Sequence, residues 1–399
     1  MSGIDNTGKD GELLRRQTLD LLRFPLALVV LTVHIWPETA ELAITNFHGS
    51  VFDYPLLRAI KHTTDAFFRW QSVPIYFFIS GYVFFYGIEA WNRNVYLRKL
   101  KNRVKTLLIP YIIWNTLAIC VTIGLHLLPG LLPSASKMMA DAGQTVSITP
   151  KNIAYCYFYD NRSELLSKTE AEMQEVHQPY VHNGALWFLR ELMLLVLCTP
   201  LLYALLKRFG PVLLALLTAA WFAADFISPD TAGGLYLKKC LLPALYFFSF
   251  GAYMSIAKRD MLAFFGRFFR PSLVLYPMLA LLYIAAAYLW PEACDTIKRM
   301  NVIAGLFFAY NVAAWLLKNG KCRLYPALAA SAFFIYVSHG IVVGRVTKGV
   351  FAIVNPATDL GLISVYALTE VLSVALLLGS FLLLRRYAPA LLKVLTGRK

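Results

Sequence analysis

Apolar runs long enough to cross a hydrocarbon core recur about ten times along the chain, near 19–36, 73–90, 107–127, 184–206, 211–228, 238–256, 272–290, 301–317, 326–345 and 361–384. Their lengths predict an all-α, polytopic membrane helix bundle of about ten spans. Between the second and third runs the segment RNVYLRKLKNRVK carries Arg93, Arg98, Lys99, Lys101, Arg103 and Lys105. Such a cluster beside apolar runs marks a cytoplasmic loop. Alternate counting then puts about 23 of the 38 basic residues on that side, with both termini cytoplasmic. Trp36, Trp70 and Trp290 fall at outer ends and Trp91 and Trp315 at inner ends, as an aromatic belt requires. Asp225 and the Lys238–Lys239 pair blur the edges of the fifth and sixth spans.

The pattern reads as a single membrane domain over 1–399, with a polar cytoplasmic tail at 1–18. The longest outer stretch, 129–183, contains Pro129, Pro133, Pro150 and Pro179 and is long enough for a small helical cap but not for a core of its own. The first span is expected to be retained, because Asp20 and Arg23 interrupt it and no small-residue cleavage site follows Trp36. No internal repeat is visible, which argues against the inverted repeats of many secondary transporters.

Composition sharpens this picture. Hydrophobic residues make up 58% and charged residues 15% of the 399, against about a quarter charged in soluble domains. The net charge of +15 sits in short segments beside apolar runs, where anionic headgroups and topology account for it. Nucleic acid is therefore excluded as the expected partner. Six cysteines show no metal-ligand spacing, and only Cys156 and Cys294 fall outside both spans and cytoplasm; free thiols are the expected state.

The candidate chemistry lies within the spans. Arg23 and His34 are eleven residues apart, nearly three helical turns, so they share a face about 16 Å apart. Ionisable side chains inside a membrane are costly unless they meet a polar cavity or a partner. His339, in SAFFIYVSHGIVV, falls at a depth similar to that of His34. Two imidazoles at one level suit a base with its orienting partner, or a base with a substrate ligand, because histidine titrates near neutrality. Each also suits a hydrogen bond to a neighbouring backbone or hydroxyl. Arg23 either snorkels to the inner headgroups or clamps a phosphate or carbonyl, with Asp20 holding it at i, i+3. Arg190 and Glu191 are adjacent within the fourth span, their side chains about 100° apart and not expected to pair; Glu191 is a further acid/base candidate or substrate contact. Gly81 permits close helix approach, and Ser80 lacks a nucleophile context. Arg103 and Lys105 place cations at a cavity mouth, where an acidic nucleotide would be drawn. No phosphate-binding glycine loop, dinucleotide fingerprint or carboxylate metal cluster occurs, so no metal is expected.

These residues resemble the membrane-bound acyltransferase 3 family. The resemblance rests on Leu19-Asp20 leading to Arg23 and His34, on Val73-Pro74 through Phe77-Phe78-Ile79-Ser80-Gly81-Tyr82, and on KNRVKTLLIPY from Lys101 to Tyr111. It continues with Leu186-Trp187-Phe188-Leu189 and with FFIYVSH from Phe333 to His339. The resemblance implies transfer of an acyl group, usually acetyl, from cytoplasmic acetyl-CoA to a hydroxyl of a cell-envelope glycan or lipid-linked sugar, in a bacterial cytoplasmic membrane. It implies that Arg23 and His34 form the functional pair. The chain departs where many members carry two arginines three apart: Arg103 is followed by Thr106. Succinyl or another acyl group is the alternative donor, and a transporter or flippase of envelope precursors the alternative class. Acyl-CoA, the glycan acceptor and membrane lipids are the expected partners; the oligomeric state stays open.

Overall fold

In the computed structural model of the chain the described residues are 3–37, 41–44, 47–131, 150–158, 183–227, 234 and 236–397. They form helices α1 (Gly3–Ile35), α2 (Pro55–Thr64), α3 (Ser72–Phe85), α4 (Arg93–Arg103), α5 (Ile109–Leu131) and α6 (Pro150–Tyr155). There follow α7 (Trp187–Leu197), α8 (Thr199–Ile227), α9 (Leu242–Ile256), α10 (Met261–Gly266) and α11 (Phe269–Leu289). The last are α12 (Cys294–Lys318), α13 (Pro326–Val354), α14 (Asp359–Tyr387) and α15 (Pro389–Thr396). Among the described residues eight stretches are long and apolar enough to cross a membrane. The protein is an all-α polytopic bundle.

Helix α1 is the keel. Leu19, Leu22, Leu26 and Val30, spaced by three and four, join a core with Phe77, Phe78, Phe247, Phe248 and Phe265. Ala27, Leu31 and Ile35 turn to a second core with Ile335, Val365 and Tyr366. One helix thus joins two cores, the first built with α3 and α9 and reached by Phe334, Tyr336 and Val337 of α13, the second built with α13 and α14.

Helices α3 and α9 pack closely, and two glycines allow it. A Cβ at Gly81 would stand 2.0 Å from the Phe248 carbonyl oxygen, and one at Gly251 would stand 1.9 Å from the Phe78 oxygen. Small residues facing each other let backbones approach where lipid gives no hydrophobic drive.

Several expectations from sequence are corrected. Where described, the tail 1–18 is itself helical, α1 running from Gly3 to Ile35. The basic stretch 93–105 is helix, not loop. Asn92 caps it by accepting from the Val95 amide at 2.9 Å, and lysine, arginine and leucine are good helix formers. A π-turn over Val104–Leu108 carries it into α5. Pro110, which has no amide proton and crowds the preceding turn, stands just beyond that irregularity.

The second run ends at Phe85, giving a helix of 14 residues. The fourth run is divided at Cys198, ahead of Pro200. The backbone of α8 breaks at Phe209 (φ −129, ψ 24), between the expected fourth and fifth spans. A hairpin of two four-residue strands, Glu41–Ile44 and Phe47–Ser50, follows α1. Most of the expected cap at 129–183 lies outside the described residues. Where described, it includes α6 and a buried Cys156.

The two ends of the bundle differ. At one end, Arg15 stands over Tyr86 and Tyr82, and Lys99 donates to the Phe84 carbonyl at 2.8 Å. A cavity of about 560 Å³ opens there, lined by Arg15, Lys258 and Arg259 and equally by Glu12, Glu89 and Asp260. At the other end, α2 lies across the helix termini, held where the Leu56 and Leu57 amides donate to Asp359 at 2.7 and 2.9 Å. A carboxylate at a helix N-terminus satisfies amides that have no partner within the helix.

Candidate active site

His34 occupies the last turn of α1 and His339 the middle of α13. Their ring centroids are 5.0 Å apart, tilted by 37°. His339 is buried, whereas His34 is exposed. The His339 Nδ1 lies 2.6 Å from the Tyr336 carbonyl oxygen, which can only accept. That contact puts the His339 proton on Nδ1 and leaves Nε2 with its lone pair, buried and without a hydrogen-bond partner. The pair therefore joins a fixed imidazole acceptor to an accessible imidazole.

Arg23 sits lower on the stripe that carries His34. Its guanidinium meets Asp20 at 2.7 Å and is about one third exposed. Tyr76 donates to the Arg23 carbonyl at 2.5 Å, tying α3 to α1 at this level. Between the two ionisable residues, Ala27 and Val30 are 1% and 3% exposed. The stripe is therefore covered by protein through its middle and opens at both ends.

The remaining candidates lie elsewhere. Arg103 stands over the Phe84 ring at 5.5 Å, and Lys105 is exposed. Neither touches Arg23. Tyr82 and Tyr86, which carry Arg15, are spaced two residues from Phe84, so Arg15 and Arg103 occupy different faces at the end of α3.

Glu191 is 1% exposed and fully engaged. Arg190 reaches it at 2.8 Å and Tyr236 donates to it at 2.5 Å. The expectation that these neighbours would not pair is corrected. Diverging Cβ directions do not prevent a long guanidinium arm from folding back, and Arg190 is anchored on its far side by the Phe158 carbonyl at 2.5 Å. A paired buried carboxylate of this kind is what a structural cluster requires.

Two residues that the sequence did not single out hold the site in place. Glu370 of α14 accepts from Thr32 at 2.6 Å and from Trp36 Nε1 at 3.0 Å. Thr32 and Trp36 are one turn apart, and His34, midway between them, points to the opposite face. Pinning both sets the rotation of the last turn of α1 and so the direction of His34. Glu370→Ala is expected to lower stability by about 2 kcal/mol, since it leaves the indole N–H of a buried Trp36 without its charged acceptor. The melting temperature reads this, and Glu370→Gln, which retains one acceptor oxygen, falls less. Asn183 is the second residue. It donates from Nδ2 to the Val337 carbonyl at 3.2 Å and fits against Gly340, where a Cβ would meet its Oδ1 at 2.2 Å. The chain returning from the 129–183 segment is thereby stapled beside His339.

Among the described residues no group of three His, Cys, Asp or Glu side chains comes together as a metal site would need.

No solved structure matches this chain. It is similar to the succinoglycan biosynthesis protein ExoH of Rhizobium meliloti (strain 1021), 28% identical over 349 residues that cover 84% of this chain and 80% of that protein. The model of the acyltransferase 3 family, described as an acyltransferase domain, matches residues 16–384, and with that coverage the chain belongs to this family of acyltransferases.

Proposed function

We propose that the protein transfers an acyl group, acetyl in the simplest case, from acyl-CoA at the Arg15 end to a hydroxyl of an envelope glycan at the His34 end. The basic Arg15 end is taken as cytoplasmic and the membrane as the bacterial cytoplasmic membrane. The observation that carries the reading is the contact between His34 and His339 at the top of the same helix stripe that bears Arg23. The likeness to a succinoglycan biosynthesis protein supports a polysaccharide acceptor.

In this reading His34 removes the proton of the acceptor hydroxyl. The hydroxyl oxygen attacks the thioester carbonyl, the carbon–sulfur bond breaks, and the proton passes from the imidazolium to the departing coenzyme A thiolate. His339, with its ring 5.0 Å from that of His34 and an unpartnered lone pair at Nε2, orients it once an N–H of His34 turns toward that lone pair. Arg23 draws the donor inward from the mouth, where Arg103 and Lys105 add positive potential. Glu191, already committed to Arg190 and Tyr236, supports the fold beside this path.

Purified protein in lipid nanodiscs with radiolabelled acetyl-CoA and a polysaccharide fraction tests the reading. Label fixed covalently to sugar is the expected result, and sugar that stays unlabelled with acetyl and with succinyl donors alike refutes it. Arg23→Gln should raise the KM for acyl-CoA about tenfold or more while changing kcat less, as loss of one charge-assisted contact does. An unchanged KM would take Arg23 out of donor binding.

A further inference from the structure

At the His34 end the molecule carries a group of cations that topology does not explain, because short outer segments of membrane proteins are poor in lysine and arginine. Arg58 of α2 lies between two aromatic rings, 4.8 Å from the Phe52 centroid and 4.5 Å from that of Tyr288. His62, one turn on, meets the edge of Tyr288 at 4.9 Å. Phe52 and Tyr288 are 59% and 47% exposed.

Arg58 has no ion pair among the described residues, and the acids around it are used elsewhere. Asp53 accepts from the Ser50 amide, Asp65 pairs with Lys61 and Arg69, Asp295 with Lys298, and Asp359 caps α2. Glu292 makes no ion pair with it either. Burial, then the adjacent Lys61 with Arg58, holds His62 below its ordinary value against the opposing Asp65, so near pH 7 the charge here is that of arginine and lysine.

The cations also run in a line. Arg58, Lys61 and Arg69 follow helical spacing along α2 and the π-turn Asp65–Arg69, with Asp65 between the last two, and span about 16 Å. Lys61 and Arg69 share the single carboxylate of Asp65, which leaves a net positive charge. Arg69 then donates to the Pro37 carbonyl at 3.1 Å, three residues past His34. The line therefore begins at a half-buried cation flanked by exposed rings, continues through the largely buried Lys61 and Arg69, and ends at Pro37, three residues past His34.

We infer that the surface headed by Arg58 between Phe52 and Tyr288, with the largely buried, net positive row of Lys61, Asp65 and Arg69 beneath it, is a binding track for an anionic, carboxylate-bearing glycan. Exposed ring faces accept the apolar faces of pyranoses, and a guanidinium fork accepts a sugar carboxylate with two parallel hydrogen bonds. A lipid phosphate would also meet Arg58. A track directed toward His34 fits an acceptor chain that must present a hydroxyl there. The inference rests on the proposed acceptor side, but its test does not depend on turnover.

The experiment measures binding of an oligogalacturonate, with a neutral malto-oligosaccharide of equal length as comparison, to the full-length protein in phosphatidylcholine nanodiscs by calorimetry. The expected result is saturable binding of the acidic oligomer that weakens at least fivefold in Arg58→Gln and in Tyr288→Ala, is retained in Tyr288→Phe, and falls with added salt. Equal affinity for the neutral oligomer overturns the proposal, as does acidic binding that Arg58→Gln leaves intact. Absence of acidic binding, with phosphatidylglycerol instead enriched around the wild-type protein and lost in Arg58→Gln, overturns it in favour of a lipid site. If the track binds as expected and no acyl transfer is found, the acyl-transfer reading fails and the site stands.

Discussion

His34→Ala is expected to lower the rate of acyl transfer by about 100-fold or more, the usual range for losing a positioned general base. The protein should remain folded, because His34 is exposed and its ring lies at the end of α1 rather than in either core. The decisive comparison is turnover per folded molecule, with circular dichroism and the melting temperature as controls. His339→Ala is a harsher change to the structure, since it empties a buried position and leaves the Tyr336 carbonyl without its extra donor. His34→Ala is therefore the cleaner variant. Turnover close to that of the native protein would remove His34 from the chemistry.

The second large effect concerns the fold. Gly81→Ala should destabilise the bundle by about 3 kcal/mol, at the upper end of what overpacking costs. The added methyl meets a backbone oxygen at 2.0 Å, and no rotamer change can relieve that; α3 and α9 must separate along a contact that anchors the phenylalanine core. Gly251→Ala should behave alike, because it faces the Phe78 oxygen across the same pair. Gly379→Ala is the control, with nothing within 4 Å of its added Cβ. It should be neutral or slightly stabilising through helix propensity. Thermal unfolding of the three variants in one detergent measures this. Equal melting temperatures for Gly81→Ala and Gly379→Ala would contradict the account of the helix pair.

How much the sequence disclosed depended on the kind of physics involved. Apolar run length located the helices, because spanning hydrocarbon requires it whatever the neighbours are. Gly81 was legible as a close-approach position, and it does face a backbone oxygen. Depth counting placed His34 and His339 at one level, and their rings meet. Charge misled at 93–105: a basic stretch reports which side of the membrane it faces, not whether its backbone is helical, and Asn92 made it helix.

The rule that adjacent helix residues diverge failed for Arg190 and Glu191 because it concerns Cβ directions, not the reach of an arginine. Glu370 escaped notice in a run with no other distinguishing residue. Its role follows only from meeting Thr32 and Trp36, more than 330 positions earlier. Among the described residues the π-turns at Asp65–Arg69, Val104–Leu108 and Leu237–Leu241 were likewise illegible. Each lies beside a polar cluster named above, where such turns often occur.

The central claim is that a donor from one side meets an acceptor from the other at the histidine pair. Proteoliposomes test it most directly, with the Arg15 end oriented inward, labelled acyl-CoA sealed inside and polysaccharide supplied outside. The account predicts covalent label on the external polysaccharide, coenzyme A released within the vesicle, and neither product with His34→Ala. Labelled donor or unmodified sugar crossing the membrane without a new acyl ester would contradict it.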